Sequence, residues 1–204
     1  MKVLFVCTGN TCRSPMAEAL LKNHAPHVEV KSAGIFAHAG GAASVGTTQA
    51  LQEKNITINH QSQPVTEQLL DWADLVLTMT TQHKQTLMQS FPSSYDKVYT
   101  LKEYLDDDLQ GIWKTLKQAH MELENKRAAF MNEQGKDLPT FQLDRALHNH
   151  LRDEINHIQM LEAQLPNYDV SDPFGSELTV YKKTLQEIDQ YIELLVKKLD
   201  NESS

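Results

Sequence analysis

Cys7 and Arg13 bracket a short polar turn in Cys7-Thr8-Gly9-Asn10-Thr11-Cys12-Arg13-Ser14-Pro15. A thiol is a nucleophile only as its thiolate, which is favoured where positive charge and N–H donors surround the sulfur. Gly9 can adopt positive φ without steric cost and Asn10 tolerates it, so the amides from Thr8 to Arg13 can curl into an anion-binding nest. Arg13 adds a planar fork of N–H groups that fits two phosphate oxygens at once, and the Ser14 hydroxyl can donate to the sulfur. Taken singly, Cys7 reads as a small buried residue and Arg13 as a surface residue of a helix. In a C-x5-R-S pattern each position has its own task in holding an anion over a sulfur, and this makes Cys7 the candidate nucleophile for phosphoryl transfer.

Such a turn needs a rigid support on each side. Residues 2–7 form an apolar run rich in β-branched side chains and read as a strand, while 14–21 read as a helix with Ser14 as cap, Pro15 next and helix formers after it. The start of that helix directs its partial positive charge at the turn. Beyond it, 28–35 read as a second strand and 40–44 as a loop, with Ser44 or Thr47 starting a helix that runs to about Lys54. Residues 56–65 end in loop chemistry at Pro64, Thr66 caps a helix through Trp72, and 73–79 read as a buried strand. A helix over 80–90 and a short strand over 97–101 follow. Strands separated by helices predict an α/β fold, a four-stranded parallel sheet with helices on both faces. Ligands of such sheets bind beyond the carboxyl ends of the strands, where Cys7 falls.

A second candidate group is Asp172 in Asp172-Pro173-Phe174-Gly175. On its own the segment is ordinary turn chemistry. Beside a thiolate nucleophile it gains a role, because the leaving group must be protonated and the attacking water later deprotonated, and a loop carboxyl can do both. Residues 177–199 then read as a closing helix with Leu178, Tyr181, Leu185, Ile188, Ile192 and Leu195 along one side.

The 204 residues are enough for a sizeable core, and the net charge of −8 argues against general binding to nucleic acid or anionic membranes. No apolar run reaches membrane-spanning length and the start lacks the pattern of a signal peptide, so a cytoplasmic protein is expected. Cysteines occur only at 7 and 12, which leaves no disulfide scaffold and no four-cysteine metal site.

Cys7-Thr-Gly-Asn-Thr-Cys-Arg-Ser-Pro15 resembles the signature loop of the low-molecular-weight protein tyrosine phosphatases, and within them most resembles the bacterial protein-arginine phosphatases. The resemblance spans residues 1 to about 105 and about 170 to 199. It implies that family's fold, a phosphocysteine intermediate on Cys7, Asp172 as general acid, and phosphate held by Arg13 with the Thr8, Gly9, Asn10, Thr11 and Cys12 segment. It requires no cofactor or metal, and the expected partners are phosphorylated proteins and phosphate. It further implies a hydrogen-bond network among Asn10, Ser14, Ser32 and His60 that holds the loop, and a protective disulfide of Cys12 with Cys7 under oxidation. Thr11 and Phe174 bear on substrate choice: tyrosine-directed relatives carry a larger aliphatic at the Thr11 position and an aromatic pair after the Asp-Pro. Thr11, Asp172-Pro-Phe-Gly and Ala73-Asp-Leu-Val-Leu-Thr-Met79 with His83-Lys84 favour phosphoarginine, with phosphotyrosine the alternative. An arsenate reductase would need further cysteines, and a non-catalytic phosphate-binding scaffold would lack one of Cys7, Arg13 and Asp172.

Residues 106–167 leave that pattern, dividing the chain into a phosphatase domain of 1–105 with 168–204 and an insertion. Leu109, Ile112, Leu116, Ala119, Leu123 and Phe130 form one apolar stripe, and Leu143, Leu147, Leu151, Ile155, Ile158 and Leu165 another. Two amphipathic helices joined by Gly135-Lys136-Asp137-Leu138-Pro139 predict an α-helical hairpin, a candidate lid, a surface for partners or self-association, or an addition without a role. His150, Glu154 and His157 fall near one face, but the partner helix lacks a second Glu-x-x-His, so they read as solvated flank residues rather than metal ligands. Asp106, Asp107 and Asp108 read as helix-start or solvent-facing charges.

Overall fold

The computed structural model describes residues 1–106, 110–133 and 139–202. They form two compact units, Met1–Leu105 with Tyr168–Ser204, and Asp106–Asn167.

The first unit is built on β1 (Lys2–Cys7), β2 (Glu29–Gly34), β3 (Leu75–Thr78) and β4 (Val98–Thr100), in the order β2-β1-β3-β4 with every pairing parallel. β1 is central and covered on both faces, which is why its apolar run is continuous rather than alternating. Val3, Phe5 and Cys7 point to one face, where α1 (Arg13–His24), α2 (Val45–Glu53) and α9 (Leu178–Glu202) pack. Leu4 and Val6 point to the other, against Leu70 of α3 (Glu67–Trp72) and Leu87 of α4 (Thr81–Ser90). α9 buries Tyr181, Leu185, Ile188, Ile192 and Leu195 at the expected helical spacing. Each such side chain stabilises the fold by about 2 kcal/mol through apolar burial.

Short polar side chains set the helix starts. Ser44, Thr66 and Thr80 accept from the amides of Thr47, Leu69 and His83 at the first turns of α2, α3 and α4. Thr100 and Glu103 form a reciprocal capping box at α5 (Leu101–Tyr104). Ser14 departs from the expectation: α1 begins at Arg13, Cys12 precedes it without a side-chain cap, and Ser14 lies inside the first turn with its hydroxyl turned to Cys7.

In the second unit, α6 (Gln110–Glu133) packs on α8 (Arg152–Glu162) through Leu116, Ala119, Ile158 and Leu161. The second stripe is not one helix. It divides into α7 (Thr140–His150) and α8 at Leu151, whose φ of −99° and ψ of 4° leave helical geometry. His148 and His150 lie in the last turn of α7, and Asp153 and Glu154 in the first turn of α8, where acidic side chains suit the helix dipole. Leu109, Asp107, Asp108 and the 135–138 turn lie outside the described residues. His150 and His157 are exposed, His150 stacks on Phe130 with ring centroids 4.9 Å apart, and Glu154 is bonded to Lys126.

No helix among the described residues is long and apolar enough to cross a membrane.

Candidate active site

β1 ends at Cys7, where the strand order reverses between β2 on one side and β3 on the other, so the following turn lies over a crevice in the sheet edge. The Cys7 side chain is buried, with its sulfur 2.9 Å from Ser14 Oγ and accepting from the Asn10 amide at 3.3 Å. Ser14 Oγ also accepts from Asn10 Nδ2 at 3.0 Å, which leaves its own proton for the sulfur or for the Ala33 carbonyl at 3.3 Å.

The turn bends at Asn10, whose φ of 54° is left-handed; Gly9, expected to share that conformation, is not among the positive-φ glycines. The physical reason is the partners Asn10 offers, which glycine lacks. Its Nδ2 donates to Ser14 Oγ at 3.0 Å and Ser32 Oγ at 2.8 Å, and its Oδ1 accepts from the Gln63 amide at 3.0 Å. Its carbonyl accepts from His60 Nε2 at 2.7 Å, and the residue is fully buried. The structure thus brings Asn10, Ser14, Ser32 and His60 together around the loop, with His60 on the main chain rather than on a side chain.

Arg13 lies in the first turn of α1 and its guanidinium crosses to the start of the α9 approach. It donates to the Val170 carbonyl at 3.3 Å and to Asp172 Oδ2 at 2.7 Å. Arg13 is 6 % exposed at the side chain and Asp172 51 %, so the pair joins a buried cation to a carboxylate at the rim. Asp172 Oδ1 accepts from the Phe174 amide at 3.1 Å, which folds the loop tightly and leaves the Phe174 ring in solvent. Thr11 is half-buried, with its hydroxyl 3.6 Å from Cys12 Sγ. Cys12 is buried and carries a free thiol, 3.3 Å from Ser44 Oγ and 3.7 Å from the Tyr181 hydroxyl.

Four residues outside the predicted site set also support the loop or its neighbours. Glu18 accepts the Ser32 hydroxyl at 2.5 Å and stands four residues after Ser14, a spacing that puts both on one face of α1. Gln63, in irregular chain, binds Asn10 through its amide and donates from Nε2 to the Ser32 carbonyl at 3.0 Å. His83 is buried on α4 with Nε2 2.8 Å from Thr8 Oγ1 and no partner at Nδ1. Burial and the nearby Arg13 cation lower its pKa from the usual 6.5 to about 4, against the opposing pull of Asp172 and Asp169. Phe36 is exposed, and its amide donates to the Thr8 carbonyl at 2.9 Å.

Among the described residues the one grouping with metal-ligand character lies elsewhere, at His24, Asp189 and Glu193. There Asp189 is already engaged by His24 at 2.8 Å and Lys54 at 2.6 Å.

Residues 2–116 match the low molecular weight phosphotyrosine protein phosphatase family. The chain belongs to that family. The protein-arginine-phosphatase of Bacillus subtilis is 47 % identical over 148 residues, covering 67 % of this chain and 99 % of that protein. A low molecular weight protein-tyrosine-phosphatase PtpB of Staphylococcus epidermidis is 38 % identical over 107 residues, 52 % of this chain and 76 % of that one. Among solved structures, a C7S mutant of the YwlE arginine phosphatase with a phosphorylated active-site serine superposes with a TM-score of 0.68 at 36 % identity, covering 98 % of this chain and 96 % of that one. The parallel four-stranded sheet with helices on both faces is therefore the fold of this family.

Proposed function

We propose that this chain is a cysteine-dependent protein phosphatase that removes phosphate from phosphoarginine residues. The observation that carries the reading is Cys7 Sγ held by the Asn10 amide and Ser14 hydroxyl under a loop that Arg13 and Asp172 flank. The match to the Bacillus subtilis protein-arginine-phosphatase over 99 % of that protein supports the substrate class, as does Thr11.

In this reading the phosphoryl group enters the loop and its oxygens take the Arg13 fork and the amides of Thr8 to Cys12. Arg13 exchanges Asp172 for phosphate. Cys7 attacks phosphorus in line, the P–N bond breaks, and the proton of Asp172 passes to the departing guanidino nitrogen. Water then attacks the phosphocysteine, Asp172 takes its proton, and the P–S bond breaks to return the thiolate to Ser14 and Asn10. Arg13 and the loop amides supply the positive charge. Asp106–Asn167 is read as an addition to this machinery, supported by its forming a compact unit of its own.

The test is kcat/KM on phosphoarginine and phosphotyrosine peptides of matched sequence. Preference for phosphoarginine is expected, with Cys7→Ser lowering turnover by at least about 10³-fold. Thr11→Ile is expected to shift the preference by about tenfold toward phosphotyrosine. Faster turnover of phosphotyrosine by the wild type would keep the chemistry and remove the phosphoarginine assignment. Equal rates for wild type and Cys7→Ser would remove the phosphatase reading.

A further inference from the structure

Asp172 sits half-exposed on a loop, and its Oδ2 is tied to Arg13, the group that must turn to the phosphate when substrate binds. What then keeps the carboxyl aimed at the leaving group has to come from the rest of the loop. The residue before it, Ser171, is fastened to α9: its hydroxyl donates to Glu187 Oε2 at 2.6 Å and its amide reaches the same oxygen at 3.3 Å. The hydroxyl of fully buried Thr184, one turn earlier on α9, lies 3.0 Å from Ser171 Oγ, and with that oxygen's proton given to Glu187 it donates to it. The other oxygen of Glu187 holds Lys102 at 2.7 Å, and Lys102 Nζ donates to the Asp169 carbonyl at 2.7 Å. One carboxylate therefore braces the loop at Ser171 directly and at Asp169 through a lysine. The Asp169 side chain in turn accepts the Thr81 amide at 2.7 Å at the start of α4, and the Val170 amide donates to the Met79 carbonyl at 2.8 Å.

We propose that Glu187 is a positioning residue for Asp172, holding the 169–172 loop in register so that the acid stays aligned with the leaving group once Arg13 has left it. The proposal rests on the phosphatase reading with Asp172 as acid. Burial works to raise the Glu187 carboxyl, yet the bonds from Lys102 and Ser171 outweigh it and hold it below its ordinary value, so the brace is charged at neutral pH. A role of this kind acts on one step, protonation of the leaving group, and so leaves a signature that a loss of general stability does not.

The experiment compares kcat/KM on p-nitrophenyl phosphate, whose leaving group needs little help, and phenyl phosphate, whose leaving group needs a proton. Wild type, Glu187→Ala, Glu187→Gln and Ser171→Ala are measured, each also in an Asp172→Asn background. Glu187→Ala is expected to lose about tenfold more on phenyl phosphate than on p-nitrophenyl phosphate, with Glu187→Gln, which keeps an acceptor oxygen, recovering part of the loss. In the Asp172→Asn background the selective loss should vanish, since no acid remains to be aimed. Equal losses on both substrates, no loss, or a selective loss that persists without Asp172 overturns the proposal. Ser171→Ala changes one exposed hydroxyl, so it carries the same comparison if Glu187→Ala does not fold. Wild type no faster than Cys7→Ser on either substrate would instead mark failure of the phosphatase reading itself.

Discussion

Gly34 and Asn10 are packed so closely that a methyl group on Gly34 would stand 2.8 Å from the Asn10 amide nitrogen, and 2.7 Å from the Thr8 carbonyl oxygen. Both are main-chain atoms of the turn over Cys7, so neither can swing aside as a flexible side chain would. The end of β2 therefore acts as the floor on which the turn is cast.

Gly34→Ala is accordingly expected to cost about 1–3 kcal/mol of stability, the usual effect of overpacking, and to lower kcat/KM by displacing the turn. Urea unfolding and steady-state kinetics measure the two effects. Gly9→Ala meets only the Thr11 hydroxyl at 3.7 Å and serves as the stability control. Equal stability of the two variants would refute the floor.

His83 makes stability depend on acid. Its folded pKa of about 4 lies below the 6.5 of the unfolded chain, so between those values the unfolded chain binds more protons. Its contribution is complete above about pH 6.5 and is lost as pH falls toward 4, amounting to about 3 kcal/mol. His83→Gln should flatten this part of the stability profile, as read by urea midpoints from pH 7 to 4. An unchanged slope in the variant would show that other groups produce it.

Ser32→Ala leaves Asn10 Nδ2 with one acceptor fewer and Glu18 without its 2.5 Å donor. A loss of about 1–3 kcal/mol is expected, the cost of buried polar groups deprived of partners. Since these bonds hold the left-handed turn, kcat/KM should fall as well. Hydrogen exchange at the Asn10 and Thr11 amides would report the loosened loop, and unchanged protection there would count against the network as its support.

Inorganic phosphate should stabilise the wild-type chain by about 2.7 kcal/mol at 100 times its dissociation constant, which for a protein of this size is a rise of about 5–10 °C in Tm. Arg13→Lys keeps the charge but loses the two-pronged geometry, so the rise at the same concentration should shrink. Thermal scans across a phosphate series give the comparison. An equal rise in both proteins would show that the guanidinium fork does not bind the anion.

The strand-turn-helix at the amino terminus was legible because its signals are local. The apolar β1 run, the polar turn and the helix formers follow one another within about 20 residues, and each shows its own local pattern of residue types. The caps at Ser44, Thr66 and Thr80 were legible for the same reason, a side chain reaching an amide three residues on. Ser14 misled because its hydroxyl had a better partner than a helix amide, a sulfur seven residues earlier brought back by the turn. The stripe over 143–165 misled because Leu151 continues the apolar spacing while the backbone breaks there.

Residue types and their order alone established the α/β class, the nucleophile candidate and the residues able to bind an anion, since propensity and side-chain chemistry need no distant partner. The tertiary structure decided everything that depends on closing distance along the chain. It put Asp172 on Arg13 across 159 positions and Gln63 on Asn10 across 53. It seated His83 against Thr8 and Glu187 behind the Asp172 loop. These are contacts among loops and helices that the sheet order β2-β1-β3-β4 brings side by side, and no local spacing encodes which strand lies next to which.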